Sequence, residues 1–145
     1  MQLEVKNMYK EYEGNEILKD VHLQIADGEF VAVMGQSGCG KSTLLYCVSG
    51  MDRPTKGEIL FGDEPTGALN MSATREVMDI LNRINQEGTA ILLVTHDAKV
   101  AARASRVIYL EDGCVKAELT LGKYAEGDVC HREEILKMWL GKMGF

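Results

Sequence analysis

Gly35-Gln36-Ser37-Gly38-Cys39-Gly40-Lys41-Ser42-Thr43 has the spacing G-x-x-x-x-G-K-[ST] of a phosphate-binding loop. The residue types suit that chemistry. A polyphosphate concentrates negative charge and needs many donors at close range. Gly35, Gly38 and Gly40 lack a Cβ, so the backbone can curl and aim successive N–H groups at phosphate oxygens. Lys41 adds a mobile point charge for the β- and γ-phosphates. The Ser42 hydroxyl can ligate Mg²⁺, which requires oxygen ligands in an octahedron. A helix opening at this point directs its positive end at the same phosphates. Gly35, Ser37, Gly38, Cys39, Gly40, Lys41, Ser42 and Thr43 are therefore the candidate nucleotide contacts. Cys39 sits beside a helix N-terminus, which lowers a thiol pKa and makes it reactive without implying a catalytic role. The bland alternative is a glycine-rich turn that binds nothing.

The flanks decide against that alternative. Phe30-Val31-Ala32-Val33-Met34 is an apolar run of the kind that forms a buried parallel strand. Residues 43–49 read as a helix. Strand, glycine loop and helix is the context the motif requires.

The remaining elements must carry this loop. Residues 3–6 read as a strand, followed by a polar stretch with Tyr9 and Tyr12. Val21, Leu23 and Ile25 alternate with polar residues, as in a half-buried strand. Asp27-Gly28 is a tight-turn signal that predicts a hairpin-like pairing of residues 21–25 with 30–34. Arg53-Pro54-Thr55-Lys56-Gly57 reads as a turn. Residues 72–86 read as a helix with Val77, Ile80, Leu81 and Ile84 on one face. Residues 89–94 form a second buried-strand pattern, with Thr95-His96-Asp97 at its end. A short helix at 98–104, a strand at 107–110, a turn at Asp112-Gly113 and a returning strand at 114–120 follow. Residues 133–143 are amphipathic. Ile135, Leu136, Met138, Trp139, Leu140 and Met143 predict docking on the body, with Arg132 counted among the solvated charges.

Composition bounds the reading. The 145 residues suffice for one domain with a core. The net charge of −6 argues against a nucleic-acid partner. No apolar run approaches the ~20 residues that span a bilayer. The four cysteines form no C-x-x-C pair, and His22, His96 and His131 lack metal-ligand spacing. Free thiols in a cytoplasmic compartment are the expectation.

Taken together, the motifs resemble the ATP-binding subunits of ABC transporters, most closely the macrolide, lipoprotein-release and bacitracin-type peptide exporter branch. Residues 35–43 look like the family's first phosphate motif. Asp63-Glu64-Pro65-Thr66-Gly67-Ala68-Leu69 looks like the end of its second nucleotide motif and the adjoining dimer-contact loop. Thr95-His96-Asp97 looks like its switch histidine. Tyr12 stands where the family places an aromatic ring against adenine. The resemblance implies an α/β fold, a P-loop NTPase core with a mainly parallel sheet flanked by helices and antiparallel N-terminal strands. It implies ATP and Mg²⁺ as ligands. It makes Ser42 and Asp63 metal partners, Glu64 the base that polarises the attacking water, and Lys41 and His96 groups acting on the γ-phosphate. The other reading of Asp63 and Glu64 is an acidic pair opening a helix. For His96 it is a histidine satisfied by Asp97. For Tyr12 it is a packed surface aromatic, with Tyr9 competing for the adenine.

The family pattern is incomplete here. Its glutamine loop, helical subdomain and L-S-G-G-Q signature belong between Gly62 and Asp63, and none is present. Asn70 replaces the usual aspartate. The chain reads as one truncated nucleotide-binding domain, 1–145, with an internal deletion at 62/63. Residues 58–62 are the only segment left to form a strand beside the loop strand and carry Asp63 to the metal. The expected function is that of an ATP-binding subunit of an exporter, with hydrolysis and coupling impaired. The alternatives are a nucleotide-binding module without turnover or a non-functional deletion product. A membrane permease or an intact homologous ATPase chain are the implied partners, with the chain at the inner face of the membrane.

Overall fold

The computed structural model describes residues 3–36, 38, 40–61, 66–70, 75–125 and 127–144, with the backbone alone at 61, 66–70, 75 and 77. Two strands form its centre. β3 (Phe30–Met34) and β6 (Ala90–Val94) are buried at every position and run parallel, Val33 opposite Val94. Successive strand side chains point to opposite faces. Val31, Val33, Leu92 and Val94 therefore enter one core, and Phe30, Ala32, Met34, Ile91 and Leu93 the other. A strand covered on both faces has no polar side, so these segments are unbroken apolar runs.

β5 (Thr66–Asn70) pairs with β6 on its outer side, and β7 (Arg106–Glu111) pairs with β3, both in parallel. β8 (Cys114–Thr120) closes this five-stranded sheet antiparallel to β7. A second, antiparallel sheet has the order β2 (Asn15–Ile25), β1 (Leu3–Tyr12), β4 (Lys56–Phe61). Its Leu3, Val5, Leu23 and Ile25 pack with Leu44, Leu45 and Val48 of α1 (Lys41–Val48) on the first face of the large sheet. On the second face lie Met78 and Leu81 of α2 (Arg75–Gln86), Val100 and Ala101 of α3 (Ala98–Ala101), and Leu136 and Leu140 of α4 (Val129–Gly141). This is the expected α/β layering, with antiparallel strands at the N-terminus. Among the described residues no helix is long and apolar enough to cross a membrane.

Four expectations are corrected. The Asp27-Gly28 turn does not make a hairpin. Both edges of β3 are taken by β6 and β7, while β2 pairs along its length with β1, from Leu3 opposite Ile25 to Tyr12 opposite Asn15. β1 thus continues through the polar stretch to Tyr12, with shifts in register on the way. The same saturation of β3 removes residues 58–61 from its side. As β4 they pair with β1, Val5 opposite Ile59, in the other sheet, and Gly62 lies outside the described residues. The segment read as a dimer-contact loop, residues 66–70, instead forms β5.

The two amphipathic helices are rotated from their predicted faces. In α2, Ile80 and Ile84 are 53% and 37% exposed, while Met78, Leu81 and Asn82 are buried. Polar residues can face the body here because they are bonded: Asn82 accepts from Arg103, and Asn85 donates to Gly28 O and Thr89 O. In α4, Leu136 and Leu140 are buried with Arg132, while Ile135 and Met138 are exposed.

Candidate functional site

The loop leaves the C-terminal end of β3 and turns into α1. Gly35 is buried at its root. Gly38 and Gly40 have φ of +81° and +100°, a region that L side chains rarely adopt. At Gly40 space is also short, since a Cβ would lie 2.9 Å from Leu18 Cδ2 and 3.2 Å from Ile17 O. β2 therefore presses on the loop and holds it against α1. Gly40 is also the N-cap of α1, and no side chain caps that helix or places an acid in its first turn. The first backbone N–H groups thus face outward without a built-in anion. Lys41 Nζ donates to Gly35 O at 2.6 Å and Gln36 O at 3.0 Å, so the ammonium is held over the loop. Ser42 is exposed and Thr43 half-buried beside it. A concave backbone, an uncapped helix and a held ammonium suit a polyphosphate, and the Ser42 hydroxyl suits its Mg²⁺.

His96 leaves the same end of the sheet. Thr95 N donates to Val33 O, so His96 stands beside the root of the loop. It is exposed and borders a cleft of about 580 Å³ with Lys99, Lys137 and Leu140. Asp97 is occupied elsewhere, because its carboxylate accepts from Lys99 N and caps α3. Ser37, Cys39, Asp63 and Glu64 lie outside the described residues. The described strand after Asp63 and Glu64 enters the sheet at Thr66, level with Ala90 and at the end opposite the loop.

The aromatic candidates separate. Tyr9 faces Lys56, whose Nζ is 5.9 Å from the ring centroid. Tyr12 ends β1 and is 41% exposed, with Lys10 Nζ 4.8 Å from its centroid. The Tyr12 hydroxyl donates to Asp52 Oδ2. Asp52 lies just past α1, in a stretch the sequence marks only as a turn. Its carboxyl is held down to about 2, first by the Tyr12 hydroxyl and then by Lys10. The same hydrogen bond pushes the Tyr12 phenol up to about 12. Sequence reasoning missed Lys10 and Asp52, since neither belongs to a motif. It also missed the contact of Gln36 Nε2 with Gly144 O at 3.1 Å, which brings the turn after α4 onto the loop.

A family model described as ABC transporter matches residues 18–124. The aliphatic sulfonates import ATP-binding protein SsuB 3 of Pseudomonas savastanoi pv. phaseolicola is 51% identical over 63 residues, 43% of this chain and 23% of that protein. The chain thus spans about a quarter of that curated relative. The lipoprotein-releasing system ATP-binding protein LolD of Aquifex aeolicus is 25% identical, covering 81% of this chain and 97% of that protein. That alignment runs over 218 residues, more than the 145 present here, so LolD carries a long segment without a counterpart in this chain. The macrolide export ATP-binding/permease protein MacB of Campylobacter jejuni is 25% identical, covering 84% of this chain and 35% of that protein. Among solved structures, dimeric MJ0796, a bacterial ABC transporter cassette, superposes with a TM-score of 0.75 at 21% identity, covering 84% of this chain and all of that one. A nucleotide-free ATP-binding cassette from an ABC transporter reaches 0.76 at 10% identity, covering 95% of this chain and 98% of that one. These two likenesses concern the fold.

Proposed function

The chain belongs to the ABC transporter family, and from that premise we propose that it binds Mg-ATP in the loop of residues 35–43 and hydrolyses it slowly at best. The observation that carries the reading is the loop itself: left-handed glycines, an uncapped α1 and Lys41 held over the loop carbonyls. Lys41 and the backbone N–H groups hold the phosphates, and Ser42 with Asp63 holds the metal. When bound, Mg²⁺ neutralises charge between the β- and γ-phosphates. Glu64 orients the attacking water, and His96, at the same sheet end as the loop, meets the γ-phosphate.

Slow turnover follows from what the loop lacks on its open side. The resemblance assigns the outer contacts of the γ-phosphate to a glutamine loop and a partner's signature segment, and this sequence has neither. One preorganised donor to developing charge is worth about 2.7–4 kcal/mol of barrier, so losing several outweighs the groups that remain. The entry of β5 at the far end of the sheet supports the same conclusion for the acidic pair preceding it. An internal deletion at 62/63 accounts for the missing parts, and the length of the LolD alignment supports it. A membrane permease or an intact homologous ATPase chain is the partner that would give such a module a role in transport, beside the membrane.

Calorimetric titration with Mg-ATP tests the binding. Lys41→Ala should weaken it by about 1.5–3 kcal/mol, the worth of a charge-assisted contact. Equal affinity in the two proteins would refute the assignment.

A further inference from the structure

Tyr12 is fastened more tightly than a hairpin-end tyrosine needs. Its hydroxyl is bonded to Asp52, and the Lys10 ammonium lies over one ring face. Lys10 is itself 8% exposed, an uncommon burial for a lysine, and its Nζ is held by Asp52 Oδ1 at 3.0 Å and Arg53 O at 2.6 Å. Asp52 also accepts from Arg53 N at 2.8 Å. One carboxylate thus gathers an ammonium, a phenol and a backbone N–H, and the tyrosine keeps 41% of its surface exposed. The exposed part is the ring side away from Lys10.

The clamp is tied to the loop at both ends. Asp52 N donates to Tyr46 O of α1, the helix that carries Lys41 and Ser42 at its start. Tyr12 pairs with Asn15, and Ile17, two residues or about 7 Å further along β2, touches the loop at Gly40. The ring therefore stands off the phosphate loop by a span that a ribose and base can cross.

We propose that Asp52 and Lys10 are positioning residues that lock the Tyr12 ring as a stacking platform for the purine of the nucleotide held by the loop. The proposal rests on the reading of residues 35–43 as a nucleotide site. Stacking on a ring that must first be ordered loses affinity to the entropy of ordering it, and a ring ordered during folding avoids that loss. Lys10 covers one face and leaves the other for the base.

The test compares Mg-ATP with inorganic triphosphate, also as its magnesium complex, by calorimetry. A base stacked on an aromatic ring contributes roughly five- to 150-fold in affinity. Wild type should prefer ATP by at least the lower figure. Tyr12→Phe, which keeps the ring and removes the tether, and Asp52→Ala should each lose most of that preference and bind triphosphate as wild type does. Asp52→Asn, which keeps an acceptor for the hydroxyl, should retain more of it than Asp52→Ala. Unchanged preference in Tyr12→Phe and Asp52→Ala overturns the proposal. So does a parallel loss of triphosphate affinity, which would mean the clamp acts on α1 and not on the ring. If Asp52→Ala does not fold, Tyr12→Phe decides alone. Wild type that binds both ligands equally overturns this inference and leaves the phosphate site standing. Wild type that binds neither overturns both.

Discussion

Arg132 carries the attachment of α4. It is 5% exposed, and its guanidinium donates to the carbonyls of Ala102, Ala104, Leu121, Gly122 and Lys123, at 2.5–3.3 Å. The Tyr124 ring lies 5.6 Å away. Burial pushes its pKa below the ordinary guanidinium value. A planar fork of five N–H donors can serve this ring of carbonyls, and three ammonium donors cannot. Arg132→Met should cost about 3 kcal/mol or more by stranding buried acceptors, and Arg132→Lys should recover only part, as urea unfolding will report. The Tyr12–Asp52 pair makes a second prediction at this scale. The folded-state pKa of Asp52 is lowered from 3.8 to about 2, so its contribution is present above pH 3.8 and is lost as pH falls toward 2. That of Tyr12 is raised from 10.0 to about 12, so its contribution is present below pH 10 and is lost as pH rises through 12. Following tyrosinate absorbance, Asp52→Ala should return one of the five tyrosines toward 10.0.

β2 is wedged between the loop and the β7–β8 turn. Lys19 N donates to Gly113 O, and a Cβ on Gly113 would lie 2.1 Å from Ile17 O. Gly113 also has φ of +80°. Gly122 has nearly the same φ, +78°, but nothing within 4 Å of its Cβ position. Gly122→Ala should therefore cost only the left-handed penalty of about 1–2 kcal/mol. Gly113→Ala should cost clearly more, because two backbones must part. It should also weaken ATP binding, since Ile17 and Leu18 are what hold Gly40 in place. Thermal melting and calorimetry of the two variants separate these effects. Equal destabilisation of both would remove the wedge.

The whole molecule is an ABC-type fold built from fewer residues than its relatives use. Its small antiparallel sheet, α1 and the central strands keep their places. The outer edge of the large sheet is taken by β5, drawn from residues that the motif reading assigns to a loop. We predict that this chain alone does not form the nucleotide-sandwich homodimer. In Glu64→Gln, where hydrolysis is suppressed and a sandwich would accumulate, gel filtration with Mg-ATP should show a monomer. Wild-type turnover should fall well below the enzyme median of about 10 per second. A stable dimer together with ordinary turnover would refute the prediction. An intact homologous chain, able to lend its signature segment, should restore turnover at the loop when mixed in.

What the sequence determined by itself is local. The phosphate loop, its strand and its helix were legible because glycine spacing, Lys41-Ser42 and an apolar run act over a dozen residues. So were β6, β7 and β8, whose apolar runs and Asp112-Gly113 turn are short-range signals. Strand partnership was not, because it is a competition. Residues 58–61 can form a strand anywhere, and they join β1 because β6 and β7 already occupy both edges of β3. The buried faces of α2 and α4 were misread for a related reason. Periodicity ranks residues by hydrophobicity, whereas Asn82, Asn85 and Arg132 face inward because carbonyls and a guanidinium from distant segments meet them there. The Lys10–Asp52–Tyr12 clamp joins residues 40 apart in sequence. Hydrogen bonds at that separation exist only once the sheets have packed, so tertiary structure alone could reveal them.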